Sequence, residues 1–233
     1  MDRMTTTLIT GANKGLGRET ARRLLEAGHD VWMAARDPER GRQAAEELGG
    51  RFVELDVTDD ASVAAAAATV EAAGGLDVLI NNAGIIGPHT SVPDTTADDV
   101  RVVLETNVLG PVRVLHAFAP LLGRSDAGVV VNVSSGMGSM TVTGDPDRIE
   151  STIIALGYTS SKAALNMLTT QYAKAYPDLR VNCVDPGYTA TDLNANSGPQ
   201  TVQEGTDAIV RMAQIGPDGP TGSFVDANGE VPW

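Results

Sequence analysis

The stretch Thr10-Gly11-Ala12-Asn13-Lys14-Gly15-Leu16-Gly17 decides the fold of this chain. The residues from Thr5 to Thr10 predict a buried strand that runs into this stretch, and Ala21, Leu24 and Leu25, whose spacing is helical, follow it. A strand, a glycine-rich turn and a helix N-terminus form a phosphate site, because glycines let the backbone approach a pyrophosphate and the helix dipole favours its charge. The alternative is an ordinary turn with helix-capping glycines. Three glycines in this setting favour the nucleotide site.

Strands and helices continue to alternate along the rest of the sequence. Further strands are predicted over 31–35, 51–55, 76–80, 128–133, 179–184 and 221–225, and helices over 38–48, 62–73, 96–119 and 158–176. Strands that alternate with helices through short loops predict a parallel sheet with helices on both faces. We therefore expect an α/β protein with a Rossmann-type, doubly wound sheet of about seven strands, in one domain over 1–233.

Ligands of such a sheet bind at the carboxyl ends of its strands, and several polar residues fall there. Arg36 follows the second predicted strand, where a fold selective for NAD usually carries an acidic residue for the ribose 2′-hydroxyl. An arginine suits a 2′-phosphate through charge-assisted, bidentate bonds, and Lys14 could approach the same phosphate. The alternatives are a solvated loop arginine or one neutralised by Asp37. The pattern favours NADPH/NADP+ over NAD(H).

Tyr158 and Lys162 lie four residues apart on a predicted helix, so their side chains share one face. A free phenol titrates near pH ~10 and is a poor proton donor or acceptor at neutral pH. A nearby ammonium favours the phenolate, lowers that pKa and moves the tyrosine toward acid–base chemistry. Alone, such a pair is more often part of a solvated helix surface. The rest of the chain favours the catalytic interpretation.

Two further features bring polar side chains to the same edge. Asn107 lies inside the predicted helix over 96–119, where asparagine is mildly unfavourable, which indicates either a functional role or a buried structural hydrogen bond. Ser134 and Ser135 directly follow the predicted strand over 128–133.

Composition excludes several classes of protein. The formal charge of −13 argues against general affinity for nucleic acid or anionic membranes. No run of about 18 apolar residues predicts a transmembrane helix, and the N-terminus shows no signal-peptide pattern. Cys183 is the only cysteine, which favours a reducing, cytoplasmic location. No metal site is predicted, because the histidines lack ligand spacing: His29, His89 and His116.

Over nearly its whole length the chain resembles the short-chain dehydrogenase/reductase family. The motifs that carry the resemblance are Thr10-Gly11…Gly15-Leu16-Gly17, Asp56-Val57, Asn81-Asn82-Ala83-Gly84, Asn107, Ser134-Ser135, Tyr158…Lys162 and Pro186-Gly187…Thr191. The form of the glycine loop, Ala35-Arg36-Asp37 and Val231-Pro232-Trp233 are most similar to the carbonyl-reductase branch.

The resemblance implies catalytic roles for four residues. Tyr158 would donate a proton to the substrate carbonyl oxygen, and Lys162 would lower the tyrosine pKa and bind the nicotinamide ribose. Ser135 would hold the carbonyl oxygen, with Ser134 the weaker candidate. Asn107 would hold a water that links Lys162 to solvent.

The resemblance also implies a set of cofactor-binding residues around the sheet edge. Besides Tyr158 and Lys162, these are Gly11, Asn13, Lys14, Gly15, Leu16, Gly17, Arg36, Asp56, Val57, Asn82, Ala83, Gly84, Pro186, Gly187, Thr189 and Thr191.

Two segments depart from the family's usual pattern. The interval 136–157 is longer than usual and predicts an inserted irregular loop. In the carbonyl-reductase branch a longer insertion goes with monomers, so a monomer is expected here, with a homodimer as the alternative. The region 188–220 is compact and predicts a short substrate lid over an open site.

The substrate pocket is expected to form from loops after the fourth, fifth and sixth strands. Candidate contacts are Ile86, Met137, Met140, Tyr188 and Trp233, with Ile85 and His89 beside them, although about half of such residues serve packing alone. Methionines adapt to varied shapes. No lysine or arginine stands among these residues, so apolar or aromatic aldehydes and ketones are favoured over anions.

The resulting hypothesis is an NADPH-dependent carbonyl reductase acting on a small-molecule substrate. One alternative is an NADP-dependent alcohol or hydroxysteroid dehydrogenase that uses the same residues. The other is a regulatory protein that senses NADP(H) without turnover. Retention of Ser135, Tyr158, Lys162 and Asn107 favours an enzyme.

Overall fold

Seven strands form one parallel sheet within residues 4–88 and 90–233, the part of the chain described by the computed structural model. The strands are β1 (Thr6–Thr10), β2 (Asp30–Ala35), β3 (Arg51–Glu54), β4 (Val78–Asn81), β5 (Val129–Val133), β6 (Arg180–Val184) and β7 (Phe224–Val225). Their order is β3-β2-β1-β4-β5-β6-β7, and neighbouring strands pair in parallel. The predicted doubly wound α/β fold is confirmed. Its crossover point lies between β1 and β4, where ligands of such sheets bind.

Helices connect the strands and cover both faces of the sheet. They are α1 (Gly15–Glu26), α2 (Pro38–Leu48), α3 (Asp60–Ala72), α4 (Ala97–Leu104), α5 (Gly110–Leu122), α6 (Met140–Gly144), α7 (Leu156–Ala175), α8 (Val202–Gly205) and α9 (Asp207–Ala213). Within the described ranges, no helix combines the length and the hydropathy needed to cross a bilayer.

Two apolar layers hold the helices against the sheet. One lies between the sheet and α3, α5 and α7, with Phe118 and Leu115 fully enclosed. The other lies between the sheet and α1, α2 and α9, and includes Leu24 and Ile209. Every residue of β4 and β5 is buried, as expected for strands covered on both faces.

The helix predicted over 96–119 is not continuous. A π-helical turn, Glu105–Leu109, separates α4 from α5 and contains Asn107. The physical reason is Pro111, which lacks the N–H that an uninterrupted α-helix would donate to the carbonyl of Asn107. Single π turns of this kind are frequent at functional sites.

The segment 136–157 is more ordered than the irregular loop predicted from sequence. It contains a 3₁₀ turn at Gly136–Gly138, then α6, then a second 3₁₀ turn at Ile149–Thr152. Ser139 caps α6 by accepting from the Val142 amide at 3.0 Å, and it donates to the Pro232 carbonyl at 2.6 Å. One bond within the segment and one to the C-terminal residues thus supply the order that hydrophobic spacing did not reveal.

The range 188–220, predicted to form a lid, divides into two parts. Its first part is a loop with a 3₁₀ turn at Asp192–Asn194 that borders the site. Its second part carries α9, whose Ile209 and Met212 are buried against the sheet. Helix α9 is thus a structural layer of the fold, and only the part before it can serve as a lid.

Candidate active site

A cavity of about 580 Å³ lies at the carboxyl ends of the central strands. Sixteen of the eighteen predicted cofactor residues line it: Gly11, Asn13, Lys14, Gly15, Leu16, Gly17, Arg36, Asp56, Val57, Asn82, Ala83, Gly84, Tyr158, Lys162, Pro186 and Thr191. Gly187 and Thr189 do not line it. The glycine loop, Arg36 and the Tyr158 helix, which are far apart in sequence, therefore share one chamber.

The glycine loop packs tightly against the end of β4. Gly11 has a left-handed φ of +65°, and a Cβ on Gly17 would lie 2.5 Å from the Gly11 carbonyl oxygen and from Asn82 Nδ2. Asn82 Nδ2 itself donates to the carbonyl oxygen of Thr10 at 2.8 Å. The Thr10 hydroxyl accepts from the amides of Asn82 and Ala83, both at 3.0 Å. Thr10 was not predicted as a site residue, although it opens the motif.

The N-terminus of α1 differs from those of the next two helices. Helices α2 and α3 are each capped by an aspartate side chain, Asp37 and Asp59, which accepts from two backbone amides. Helix α1 begins after Lys14, whose side chain makes no capping hydrogen bond, and has no acidic residue in its first turn. Its first amides therefore face the cavity without a side-chain acceptor, which suits an anion.

Arg36 is exposed at the cavity wall and makes no ion pair with any residue in the described ranges. Asp37, which could have neutralised it, is occupied elsewhere. The Asp37 carboxylate accepts from the amides of Glu39 and Arg40, both at 3.1 Å, and lies 3.5 Å from Arg40 Nε. The guanidinium of Arg36 is consequently available to a ligand.

Lys14 has a partner that sequence analysis did not anticipate. Its Nζ lies 3.1 Å from Asp192 Oδ2, and both side chains are about 60% exposed. Asp192 and Leu193 line the cavity as well, so the loop after β6 meets the glycine loop at the mouth. An exposed ion pair of this kind contributes about 0–1 kcal/mol and is readily exchanged for a phosphate.

Tyr158 lines the same cavity, whereas its neighbour Ser135 does not. The Ser135 side chain influences the Tyr158 phenol, and Ser135 Oγ accepts from the Met137 amide at 3.2 Å. Burial raises the pKa of Tyr158 to about 12, while Ser135 opposes that shift. The expected lowering of the tyrosine pKa by Lys162 is wrong for this structure, because desolvation outweighs the other influences on the phenol.

Lys162 is 5% exposed and its Nζ donates to the carbonyl oxygen of Val133 at 2.9 Å. The same Nζ lies 5.5 Å from the ring centroid of Tyr158. Burial lowers the pKa of Lys162 to about 8. The amine thus sits between the end of β5 and the tyrosine ring, on the helix face that sequence spacing predicted.

Asn107 is buried, and its side chain is fully engaged. Its Oδ1 accepts from the Ile85 amide, and its Nδ2 donates to the Ile85 carbonyl and to Ser161 Oγ, all at 2.9 Å. The side chain therefore ties the loop after β4 to α7. The side chain of Asn107 therefore makes the buried structural hydrogen bonds that were the alternative to a functional role. Only its backbone carbonyl is left to hold a water molecule.

The predicted substrate residues are brought together only in part. Ile86 lines the main cavity, whereas Met137, Met140, Tyr188 and Trp233 do not. Met140 is 83% exposed on α6; Trp233 stacks on Phe224 with ring centroids 5.5 Å apart. The Tyr188 hydroxyl bonds to Ser197. His89 lies outside the described residues.

Sequence reasoning missed a second, smaller cavity beside Tyr158. It measures about 70 Å³, and Ile86, Ile154, Leu156 and Tyr158 are among its lining residues. The apolar run Ile153-Ile154 just before α7 was the available signal.

Comparison with known proteins agrees with this arrangement. The family described as short chain dehydrogenase matches residues 5–201. A (+)-neomenthol dehydrogenase from Arabidopsis thaliana is 34% identical, covering 93% of this chain and 94% of its own. Salutaridine reductase from Papaver bracteatum is 31% identical, covering 97% of this chain and 95% of its own. The structure of NADPH-bound carbonyl reductase from chicken fatty liver superposes with a TM-score of 0.87 at 30% identity, covering both chains completely. The chain belongs to the short-chain dehydrogenase family of oxidoreductases.

Proposed function

We propose that this protein is an NADPH-dependent reductase that converts an aldehyde or ketone to an alcohol, with Tyr158 as general acid. The observation that carries the proposal is that Tyr158, whose phenol interacts with the Ser135 side chain, lines the same cavity as the buried Lys162 and as Arg36. In this proposal, a proton donor and a cation for the cofactor phosphate would share one chamber.

NADP(H) fits the residues present. Gly17 leaves the space that a Cβ would fill, the first amides of α1 lack a side-chain acceptor, and Arg36 has no ion-pair partner among the described residues. We infer that the α1 amides hold the pyrophosphate and that Arg36, helped by Lys14, holds the 2′-phosphate. Asp56 and Val57 would flank the adenine, and Asn82 to Gly84 the ribose region. When bound, the nicotinamide supplies the hydride for the carbonyl carbon.

The protein's own side chains would donate the proton that the reduction requires. With a pKa of about 12, Tyr158 carries its proton at neutral pH, which is the state that carbonyl reduction requires. Its hydroxyl would donate that proton to the carbonyl oxygen, and Ser135 Oγ would hydrogen-bond the same oxygen as negative charge develops on it. A placed acid of this kind typically contributes a factor of about 10² to 10⁴.

Lys162 and Asn107 would support the proton donor. The ammonium of Lys162 places positive charge next to the ring of Tyr158 and would also bind the nicotinamide ribose. Asn107 fixes the loop after β4 against α7 through Ile85 and Ser161. We infer that its backbone carbonyl, to which Pro111 cannot donate, holds the water that connects Lys162 to solvent.

An apolar or aromatic carbonyl compound is the substrate class that we propose. The small cavity beside Tyr158 is lined by Ile86, Ile154 and Leu156 together with Thr90, Thr95 and Asp99, and no lysine or arginine is among the described residues that line it. Met137, Met140, Tyr188 and Trp233 lie outside both cavities, so Ile86 and its neighbour Ile85 are the predicted substrate contacts, among the described residues, that the cavities support.

We further propose a cytoplasmic monomer. The homodimer alternative has a specific basis, since Val102, Leu109 and Met167 on the helices remain exposed apolar side chains. Sedimentation velocity across a range of protein concentrations distinguishes the two states.

The decisive experiment measures NADPH oxidation against a panel of aldehydes, ketones, quinones and ketosteroids, with NADH in parallel. Turnover of several carbonyl compounds with NADPH supports the reductase. Preferential oxidation of alcohols or hydroxysteroids by NADP+ would favour the dehydrogenase alternative. Tight NADPH binding without turnover of any panel member would favour the regulatory alternative.

A further inference from the structure

Asp185 is a buried carboxylate next to the active site that the proposed reaction does not use. It directly follows β6, is 7% exposed, and donates its own amide to the Val225 carbonyl at 2.8 Å. Its Oδ1 accepts from the Gly187 amide at 2.9 Å, and its Oδ2 lies against Gly136, where an added Cβ would be 2.9 Å away. One side chain therefore contacts two loops that bear on the site.

Both loops carry residues assigned to the reaction. Gly136 directly follows Ser135, whose side chain interacts with the phenol of Tyr158. Gly187 belongs to the loop Pro186-Gly187, and Pro186 lines the main cavity. A shift of Asp185 would therefore displace two parts of the site together. One is Ser135, which is proposed to bind the substrate carbonyl oxygen, and the other is the cavity wall at Pro186.

The space around this contact is closely filled. A Cβ on Gly136 would lie 2.9 Å from Asp185 Oδ2 and 3.1 Å from Glu150 Oε1. Glu150 comes from the inserted segment and is paired with Arg148 at 3.1 Å. The carboxylates of Asp185 and Glu150 both lie close to Gly136, and the positive charge of Arg148 offsets part of their repulsion.

We propose that Asp185 is a positioning residue, whose carboxylate fixes the Ser135–Gly136 turn and the Pro186–Gly187 loop relative to Tyr158. This inference rests on the proposed function, since it assigns Asp185 to the same reaction. A displacement of about 1 Å in such a site costs up to about 100-fold in turnover, so an anchor of this kind has a measurable effect.

The charges around Asp185 give the proposal a second readout. Burial raises the pKa of Asp185, the amides of Gly187 and Gly136 oppose that shift, and Glu150 and Asp226 reinforce it. The negative charge of Asp185 in turn raises the pKa of Tyr158. It also raises the pKa of Lys162, against the larger effect of burial. Removing that charge should therefore lower the pKa of Tyr158.

The test compares Asp185→Asn with wild type. An asparagine keeps an acceptor for one of the two amides but presents a donor to the other. We expect kcat to fall about 10- to 100-fold while the protein stays folded. We also expect the pH at which Tyr158 ionises to fall, measured by pH-jump absorbance of tyrosinate after subtraction of a Tyr158→Phe background.

Asp226→Asn is the matched control, because Asp226 neighbours the same cluster but touches neither Gly136 nor Gly187 through its side chain. It should leave kcat and the tyrosinate titration unchanged. If Asp185→Asn folds and shifts neither quantity, or loses only thermal stability, the proposal is wrong. Asp185→Ser carries the same expectations should the asparagine variant be insoluble. The tyrosinate measurement needs no substrate, so it separates this inference from a failure of the proposed reaction.

Discussion

The ammonium of Lys162 is anchored to the carbonyl oxygen of Val133, 2.9 Å away, at the last residue of β5. This bond fixes a charged group in a buried position beside the ring of Tyr158. Because desolvation disfavours the ammonium, the pKa of Lys162 falls from 10.5 to about 8. The site thus carries a cation whose burial costs folding free energy at neutral pH.

Replacing Lys162 with methionine should therefore change the pH dependence of stability. The folded-state pKa is below the unfolded value, so the wild type gains stability as pH rises from about 8 to 10.5, and the variant lacks this gain. We expect the stability of Lys162→Met relative to wild type to fall by about 1–3 kcal/mol over that interval. Denaturant unfolding at both ends of the interval measures the difference.

Lys174→Met provides the control for this experiment, because Lys174 is exposed on the same helix. Its stability relative to wild type should be nearly independent of pH. A pH-independent difference for Lys162→Met as well would show that the buried amine keeps an ordinary pKa.

Tyr158→Phe should abolish most turnover while leaving NADPH binding intact. The substitution removes the hydroxyl that interacts with Ser135 and leaves the ring beside Lys162. We expect kcat to fall by about 10² to 10⁴, the usual contribution of a placed general acid. Fluorescence titration with NADPH provides the binding control, and activity close to wild type would remove Tyr158 from the acid role.

Arg36→Asp should weaken NADPH binding far more than NADH binding. Hydrogen bonds to charged groups contribute about 1.5–3 kcal/mol, which corresponds to about 10- to 100-fold in affinity. Arg40→Asp is the matched control, since Arg40 lies on α2 outside the cavity lining and pairs with Asp37. Equal losses for both cofactors would contradict the assignment of Arg36 to the 2′-phosphate.

Asp192→Asn should strengthen NADPH binding. The Lys14–Asp192 ion pair must open if Lys14 is to contact a phosphate, and it contributes about 0–1 kcal/mol. We expect a gain of up to about 5-fold in affinity at low salt that diminishes as salt is added. Asp207→Asn, which removes an exposed partner of Arg23, should have no effect on NADPH affinity. Unchanged affinity in Asp192→Asn would show that Lys14 does not reach the phosphate.

The alternation of strands and helices was enough to predict the sheet, because strands buried on both faces leave a clear apolar signal. The same reasoning brought Arg36, Asn82 and Tyr158 to one edge, because carboxyl ends of parallel strands converge. It could not show that Asp37 caps α2 instead of neutralising Arg36, since both uses of an aspartate look alike in sequence.

Hydrophobic periodicity could not predict the side-chain contacts of the loops. Met140 and Ile154 are both apolar residues of the inserted segment, yet Ile154 lines the small cavity and Met140 points into solvent. Turns held by local caps, such as the one Ser139 provides, decide which of them faces the site.

Gly138→Ala should disturb the catalytic helix from the inserted segment. A Cβ at Gly138 would lie 2.7–2.9 Å from the Cβ, carbonyl carbon and carbonyl oxygen of Lys162, and backbone atoms cannot move aside freely. We expect a loss of about 1–3 kcal/mol in unfolding free energy, together with reduced kcat, because relief of the clash displaces Lys162 relative to Val133.

Gly144→Ala tests whether this effect is specific to the contact. Gly144 lies in the same segment at the end of α6, and a Cβ there would meet no heavy atom within 4 Å. Its stability should stay within about 0.5 kcal/mol of wild type, with unchanged kcat. Similar losses in both variants would mean that the segment tolerates no added volume anywhere. A loss confined to Gly138→Ala would mean that the 3₁₀ turn after Ser135 sets the position of Lys162, and thereby couples the inserted segment to catalysis.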